Sequence, residues 1–93
     1  MSDYILEVTY RGAQLKLEIH ENNDRARLLV NGIVRGEEAG SKTLRLTSSV
    51  QTDYEWHELV EGMVRFEPEK ISATIFANNF EVAHRIFSRE VSR

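Results

Sequence analysis

The stretch VTYRGAQLKLEI (residues 8–19) decides the fold, because apolar and polar residues alternate on both sides of an Arg-Gly pair. Alternation with a period of two is typical of β-strands that bury one face. If the chain reverses over Arg11 and Gly12, Val8 lies opposite Leu15, and every apolar residue faces another apolar residue. Glycine suits such a turn because it adopts positive φ without strain. The stretch therefore predicts a tight β-hairpin.

The polar residues support the same pairing and extend it to a third strand. Glu7 faces Lys16 on the outer side of the hairpin, a cross-strand pair of opposite charge. The polar cluster ENND (residues 21–24) predicts the next turn, after which Leu17 lies opposite Leu28. A slip of one residue would move the apolar side chains to the polar face, so the register is well specified. We predict a three-stranded antiparallel meander with strands near residues 4–10, 13–20 and 25–31.

The middle of the chain contains weaker strand patterns. Asn31 and Gly32 are typical of a two-residue hairpin turn. The strand that follows is expected to be short, since it leads into the GEEAGS stretch (residues 36–41), whose composition predicts a flexible loop. Alternation of apolar and polar residues returns near residues 42–47 and near residues 70–77, which we predict to be strands.

The segment near residues 53–63 favours a helix instead. Its apolar residues recur at i, i+3, i+4 and i+7, which is the spacing of one helix face: Trp56, Leu59, Val60 and Met63. Thr52 and Glu55 form a capping box at its start. A strand would place Glu58 on the same face as the apolar Val60, so we predict a helix.

The segment near residues 79–91 fits two structures. As a helix it begins at an Asn78 cap and carries one apolar stripe, formed by Phe80, Ala83, Phe87 and Val91. As a strand after an Asn-Asn turn, it places Ile75 opposite Val82, but it also puts His84 among apolar neighbours. We predict the helix and keep the strand as the alternative.

Together these elements define the fold class. The 93 residues suffice for one small domain, and no internal repeat or linker divides residues 1–93. We predict an α+β domain, in which the antiparallel meander packs against helices near residues 53–63 and 79–91. If both helices are strands instead, the alternative is an all-β sandwich or small barrel.

Composition excludes several classes of protein. Without cysteine, the chain has no disulfide, no thiolate nucleophile and no cysteine-based zinc or iron–sulfur site. No apolar run approaches the roughly 18 residues that span a bilayer. The first residues do not resemble a signal peptide, and the glycines form no phosphate-binding loop. We therefore expect a cytoplasmic protein with no membrane segment and no cofactor.

Charge is unevenly distributed along the chain. Residues 37–69 carry eight acidic and three basic side chains, a net charge of −5, whereas the whole chain carries −3. This excess argues against binding to nucleic acid phosphates. A solvated acidic face is the simpler interpretation, and a basic protein partner is the functional one. The candidate partner-binding residues are Glu37, Glu38, Tyr54, Glu55, Glu58 and Glu61.

Three histidines are candidates for metal or acid–base chemistry. His57 and Glu61 stand at i and i+4 on the predicted helix, where they would share one face and could bind a metal ion together. No third ligand is implied, so a solvated side-chain pair is the simpler interpretation. His20 follows a predicted strand and His84 lies on the second predicted helix. The sequence does not show whether the three histidines converge.

Arg85, Arg89 and Arg93 recur every four residues and would form a basic stripe on a helix. Such a stripe suits an acidic protein, a nucleotide phosphate or RNA. A solvated face is the simpler interpretation here too, because Glu81 lies one turn before Arg85.

No catalytic motif accompanies these residues. No serine lies in a nucleophile elbow or an S-x-x-K motif, so we do not expect an enzyme. The leading hypothesis is a non-enzymatic cytoplasmic module that binds a protein partner. A second hypothesis is an inhibitor or sequestering protein of the phage or mobile-element type, acting on a host protein or a nucleotide. A third is a histidine-based metal-binding protein or enzyme. Unpaired sheet edges also predict a possible homodimer.

Overall fold

The computed structural model describes residues 4–51 and 57–89, which fold into eight antiparallel strands and no helix. The strands are β1 (Tyr4–Tyr10), β2 (Ala13–His20), β3 (Arg25–Val30), β4 (Ile33–Ala39), β5 (Thr43–Gln51), β6 (His57–Phe66), β7 (Lys70–Ala77) and β8 (Phe80–Ser88). They form two four-stranded meanders, and each strand pairs with its neighbour in sequence. We call β1–β4 the first sheet and β5–β8 the second sheet. No helix long and apolar enough to cross a membrane occurs in the described ranges.

The inner faces of the two sheets share one hydrophobic core. Its largest fully buried side chains come from both sheets: Leu15, Leu17, Ile19, Leu28, Val60, Val64, Ile71 and Ile75. At Gly62 the Leu17 side chain fills the space of a missing side chain, since an added Cβ would lie 2.9 Å from Leu17 Cδ1. This packing of sheet on sheet leaves the outer face of each sheet in solvent.

The predicted three-stranded meander is confirmed, residue by residue. Val8 pairs with Leu15, and Leu17 pairs with Leu28, so one apolar face runs unbroken across β1, β2 and β3. Arg11 and Gly12 both have positive φ (47° and 82°). Two central residues with positive φ are characteristic of a type I′ turn, whose twist matches that of the strands it joins.

The helix predicted near residues 53–63 is wrong, because residues 57–66 form β6. The helical spacing arose by coincidence: Val60 is buried, whereas Leu59 points outward and is 46% exposed. Glu58 does lie on the apolar face, as a strand requires. Its burial there is possible because its carboxylate accepts hydrogen bonds from Tyr10 and Asn78. The capping box at Thr52 and Glu55 lies outside the described residues.

The helix predicted near residues 79–91 is also wrong, since residues 80–88 form β8. The alternative, a strand after an Asn78-Asn79 turn, is confirmed, but its register is shifted by one residue. A β-bulge between Ile75 and Phe76 places Ile75 opposite Ala83 rather than Val82. The α+β prediction is therefore overturned in favour of the all-β alternative.

Two of the remaining strands are longer than predicted. β4 continues through Ala39, so residues 36–39 are strand and not the start of a flexible loop. Backbone pairing with β3 and electrostatic attraction both stabilise this longer strand, because Glu37 on β4 faces basic side chains of β3. β5 likewise extends to Gln51, beyond the predicted 42–47.

Candidate ligand-binding face

Three basic side chains on the outer face of the first sheet are paired with acids. Lys16 Nζ lies 3.9 Å from Glu7 Oε2. Arg25 Nε and Arg27 Nε lie 3.4 Å and 3.3 Å from Glu37 Oε2. Each of these three basic side chains therefore has an acidic partner on the neighbouring strand, as expected for an ordinary solvated face.

The outer face of the second sheet is arranged differently, in three rows that cross all four strands. Antiparallel register places the members of a row side by side. The first row is Thr43, Arg65, Ser72 and Ile86, the second is Arg45, Met63, Thr74 and His84, and the third is Thr47, Glu61, Phe76 and Glu81.

The first two rows form a surface groove of about 410 Å³, which we call the basic groove. It is lined by Thr43, Arg45, Met63, Arg65, Ser72, Thr74 and His84. Thr74 forms its floor and is only 9% exposed. Thr74 Oγ1 and His84 Nδ1 are hydrogen-bonded over 2.9 Å, with the donor set by the imidazole tautomer.

Positive charge in the basic groove is only partly compensated. Arg45 Nε lies 3.4 Å from Glu61 Oε2, which satisfies one of the two arginines. Arg65 faces Thr43 and Ser72 across the sheet and forms no ion pair within residues 4–51 and 57–89. An arginine without an acidic partner and with the hydroxyls of Thr43 and Ser72 on the neighbouring strands suits a carboxylate or phosphate group.

A smaller recess of about 170 Å³ continues the basic groove toward the third row. This aromatic recess is lined by Arg45, Glu61, Met63, Phe76 and Asn79. Arg45 and Met63 line both cavities, so the two adjoin, and we call them together the depression. The depression is therefore basic at the Arg65 end, apolar around Met63 and Phe76, and acidic at the Glu61 end.

Glu58 forms a separate polar cluster where the two sheets meet, and the residue is only 4% exposed. Its Oε1 accepts hydrogen bonds from the Tyr10 hydroxyl (2.8 Å) and from Asn78 Nδ2. Arg11 Nη1 lies 3.8 Å from Oε2, which accepts no hydrogen bond from the described residues. The hydrogen bond to Glu58 raises the pKa of Tyr10 above its usual 10.0, and burial adds to this effect. The cluster ties the β1–β2 turn to the β7–β8 turn.

The four described members of the predicted acidic partner site do not form one surface. Glu37 and Glu38 lie on β4 of the first sheet, and Glu37 is paired with arginines. Glu58 is buried, and Glu61 lies on the second sheet beside Arg45. Tyr54 and Glu55, the other two candidates, lie outside the described residues.

The predicted metal pair loses its geometric basis. His57 and Glu61 lie on a strand, where four residues span about 13 Å at about 3.3 Å per residue, too far for one ion. His20 ends β2 in the first sheet, and His84 lies in the basic groove. Among the described residues, no group of three or more candidate ligands could hold a metal ion.

The predicted basic stripe is not formed, because β8 is not a helix. The guanidinium of Arg85 lies 5.1 Å from the ring centroid of Phe87. Arg89 Nη1 donates to the Glu67 carbonyl over 2.7 Å, and Arg89 Nε lies 3.8 Å from Glu21 Oε1. Arg93 lies outside the described residues. Arg89 therefore fixes the end of β8 to Glu67 and Glu21, and its guanidinium is not directed toward a ligand site.

Arg45 and Arg65 are the residues that sequence reasoning missed. Alternation in KTLRLT does place Arg45 on the polar side of its strand. The signal for Arg65 was hidden by the helix prediction, because only a strand places it opposite Thr43. Comparison of the chain with known protein families, with curated proteins and with solved structures gave no match.

Proposed function

We propose that this protein is a small non-enzymatic binding module, and that the basic groove binds an anionic group of its ligand. One observation carries the proposal: Arg65 is exposed, has no acidic partner among the described residues and lines the same groove as Arg45 and His84. Lys16, Arg25 and Arg27 on the first sheet provide a contrast, since each is paired with an acid there. Arg35 on β4 also has no ion pair among the described residues, but it does not line the basic groove.

Binding is favoured over catalysis because the groove lacks a complete catalytic set. Thr74 and His84 form a hydrogen-bonded pair of the kind that activates a hydroxyl. However, the Thr74 side chain lies at the groove floor, and no acid orients the imidazole of His84 within the described ranges. A cytoplasmic location belongs to the same proposal and is supported by the absence of cysteine from the chain.

The experiment is an NMR titration of the amide resonances with pyrophosphate, a compact anion without other recognition features. We expect shifts to concentrate in the residues that line the basic groove. Arg65→Gln should weaken pyrophosphate binding about ten-fold, the effect of losing one charge-assisted hydrogen bond. Arg35→Gln, which removes an exposed arginine from β4, is the matched control and should change nothing. Shifts spread evenly over the surface, or equal effects of both variants, would contradict the proposal.

A further inference from the structure

We propose that the basic groove and the aromatic recess together bind a nucleoside monophosphate whose base carries an exocyclic amine. The inference rests on the proposed function and adds the class of ligand. In this arrangement the phosphate lies against Arg65 in the first row, and the base lies against Phe76 with its amine toward Glu61.

The two ends of the depression differ in what they can hydrogen-bond. At the first end, Arg65, Thr43 and Ser72 offer donors to phosphate oxygens. At the other end, the carboxylate of Glu61 only accepts hydrogen bonds, and its side chain is 19% exposed and held by Arg45. A ligand that fits both ends is negative at one end and rich in N–H donors at the other.

The surface between the two ends is apolar and partly aromatic. Phe76 is half-buried, and Met63 lies beside it on the neighbouring strand. Planar bases stack on aromatic side chains, and thioethers adapt to flat rings. Asn79 borders the recess with an amide that can both donate to and accept from a base edge.

The length of the depression agrees with such a ligand. Successive rows are two residues apart along each strand, so the three rows span about 13 Å at about 3.3 Å per residue. A mononucleotide extended from its phosphate to its exocyclic amine has a similar length. Inorganic phosphate would occupy only the first row and leave the aromatic recess empty.

Charge disfavours an acidic peptide as the occupant. A chain of acidic side chains that started at Arg65 would continue onto Glu61 and Glu81 in the third row. Like charges placed side by side on a sheet repel one another. A nucleotide avoids this repulsion because its negative charge is confined to one end.

The test compares CMP, UMP and ribose 5-phosphate by calorimetry or NMR titration. CMP and UMP differ mainly in the exocyclic amine, and ribose 5-phosphate lacks the base. We expect CMP to bind at least about five-fold more tightly than ribose 5-phosphate, because stacking of one base on an aromatic side chain strengthens binding by at least about this factor. CMP should also bind more tightly than UMP, because the carbonyl of uracil would face the carboxylate of Glu61.

Variants separate the two halves of the ligand. Phe76→Leu keeps apolar bulk on the outer face but removes the ring, so it should lower CMP affinity to that of ribose 5-phosphate and leave the latter unchanged. Glu61→Gln offers a donor as well as an acceptor, so the preference for CMP over UMP should disappear. Arg65→Gln should weaken all three ligands about ten-fold. A thermal melt of each variant verifies that it is folded.

The outcomes distinguish this inference from the function on which it rests. Equal affinities for CMP and ribose 5-phosphate would overturn the nucleotide inference and leave anion binding intact. Tighter binding of a phosphorylated peptide than of any nucleotide would overturn it in favour of a protein ligand. If neither pyrophosphate nor any nucleotide binds, both the inference and the proposed function fail.

Discussion

Glu58 shows how a single residue can mislead sequence interpretation and still stabilise the fold. A carboxylate on the apolar face of a strand is costly unless its oxygens are hydrogen-bonded. Tyr10 and Asn78 both donate hydrogen bonds to Oε1, and Arg11 lies near Oε2. All three come from turns or strands distant in sequence, so the pattern around Glu58 contains no sign of them.

Removing the carboxylate should therefore be strongly destabilising. We expect Glu58→Ala to lower the free energy of unfolding by about 2–4 kcal/mol, because the Tyr10 hydroxyl and the Asn78 amide lose their acceptor. Urea denaturation measures the change. Glu38→Ala, an exposed glutamate of β4, is the control and should stay within about 0.5 kcal/mol of the parent protein. A loss at Glu58 as small as that at Glu38 would show that the cluster is not structural.

The same cluster predicts a pH dependence at the alkaline end. The hydrogen bond to Glu58 raises the pKa of Tyr10 above 10.0 in the folded protein. Tyr10 therefore stabilises the fold fully below pH 10, and this contribution disappears as the pH rises through the raised pKa. Urea unfolding from about pH 8 upward should show a decline above pH 10 that is smaller in Tyr10→Phe. Parallel curves for the two proteins would contradict this assignment.

At the scale of elements, periodicity predicted strands well where one face is uniformly apolar and poorly where it is not. β1, β2 and β3 pair as expected because turn residues and alternation agree. β6 carries Glu58 and Gly62 on its inner face, so its alternation is weak and a helical spacing competes with it. β8 follows its turn correctly, but the β-bulge changes its register, and bulges leave little trace in sequence.

Gly62 leaves room for the side chain of Leu17, which packs from β2 onto β6. An added Cβ would lie 2.9 Å from Leu17 Cδ1, and Leu17 is itself fully buried. We expect Gly62→Ala to destabilise the protein by about 1–2 kcal/mol, because overpacking outweighs the gain from a stiffer backbone. Gly36→Ala is the matched control, since its Cβ would meet Leu46 at an ordinary 3.6 Å. Equal melting temperatures for the two variants would contradict close packing at Gly62.

At the scale of the whole molecule, the outer strands of the two sheets lie beside each other. The ring centroids of Tyr4 on β1 and Phe87 on β8 are 4.9 Å apart. These two rings cover part of the junction between β1 and β8. No ladder joins β1 to β8 or β4 to β5 in the described part of the chain. Four strand edges are thus left without a backbone partner on one side.

The predicted homodimer depends on such an edge, and β4 is the most exposed one. Ile33 and Val34 on β4 are 57% and 46% exposed, which is unusual for an edge that stays in solvent. We expect light scattering to show a mass that rises from monomer to dimer with concentration, and Val34→Lys to keep the protein monomeric. A monomer at every micromolar concentration would rule out the dimer.

Sequence alone was sufficient for the tight turn at Arg11-Gly12 and for the register of β1–β3, because these depend on neighbouring residues and on one alternating pattern. It did not reveal the basic groove. Arg45 and Arg65 are 20 residues apart and carry no motif. They lie in neighbouring rows of one groove only once β5 to β8 are aligned. The burial of Glu58 likewise required the two sheets to pack. Local physics specifies hairpins, whereas a binding surface depends on which strands become neighbours.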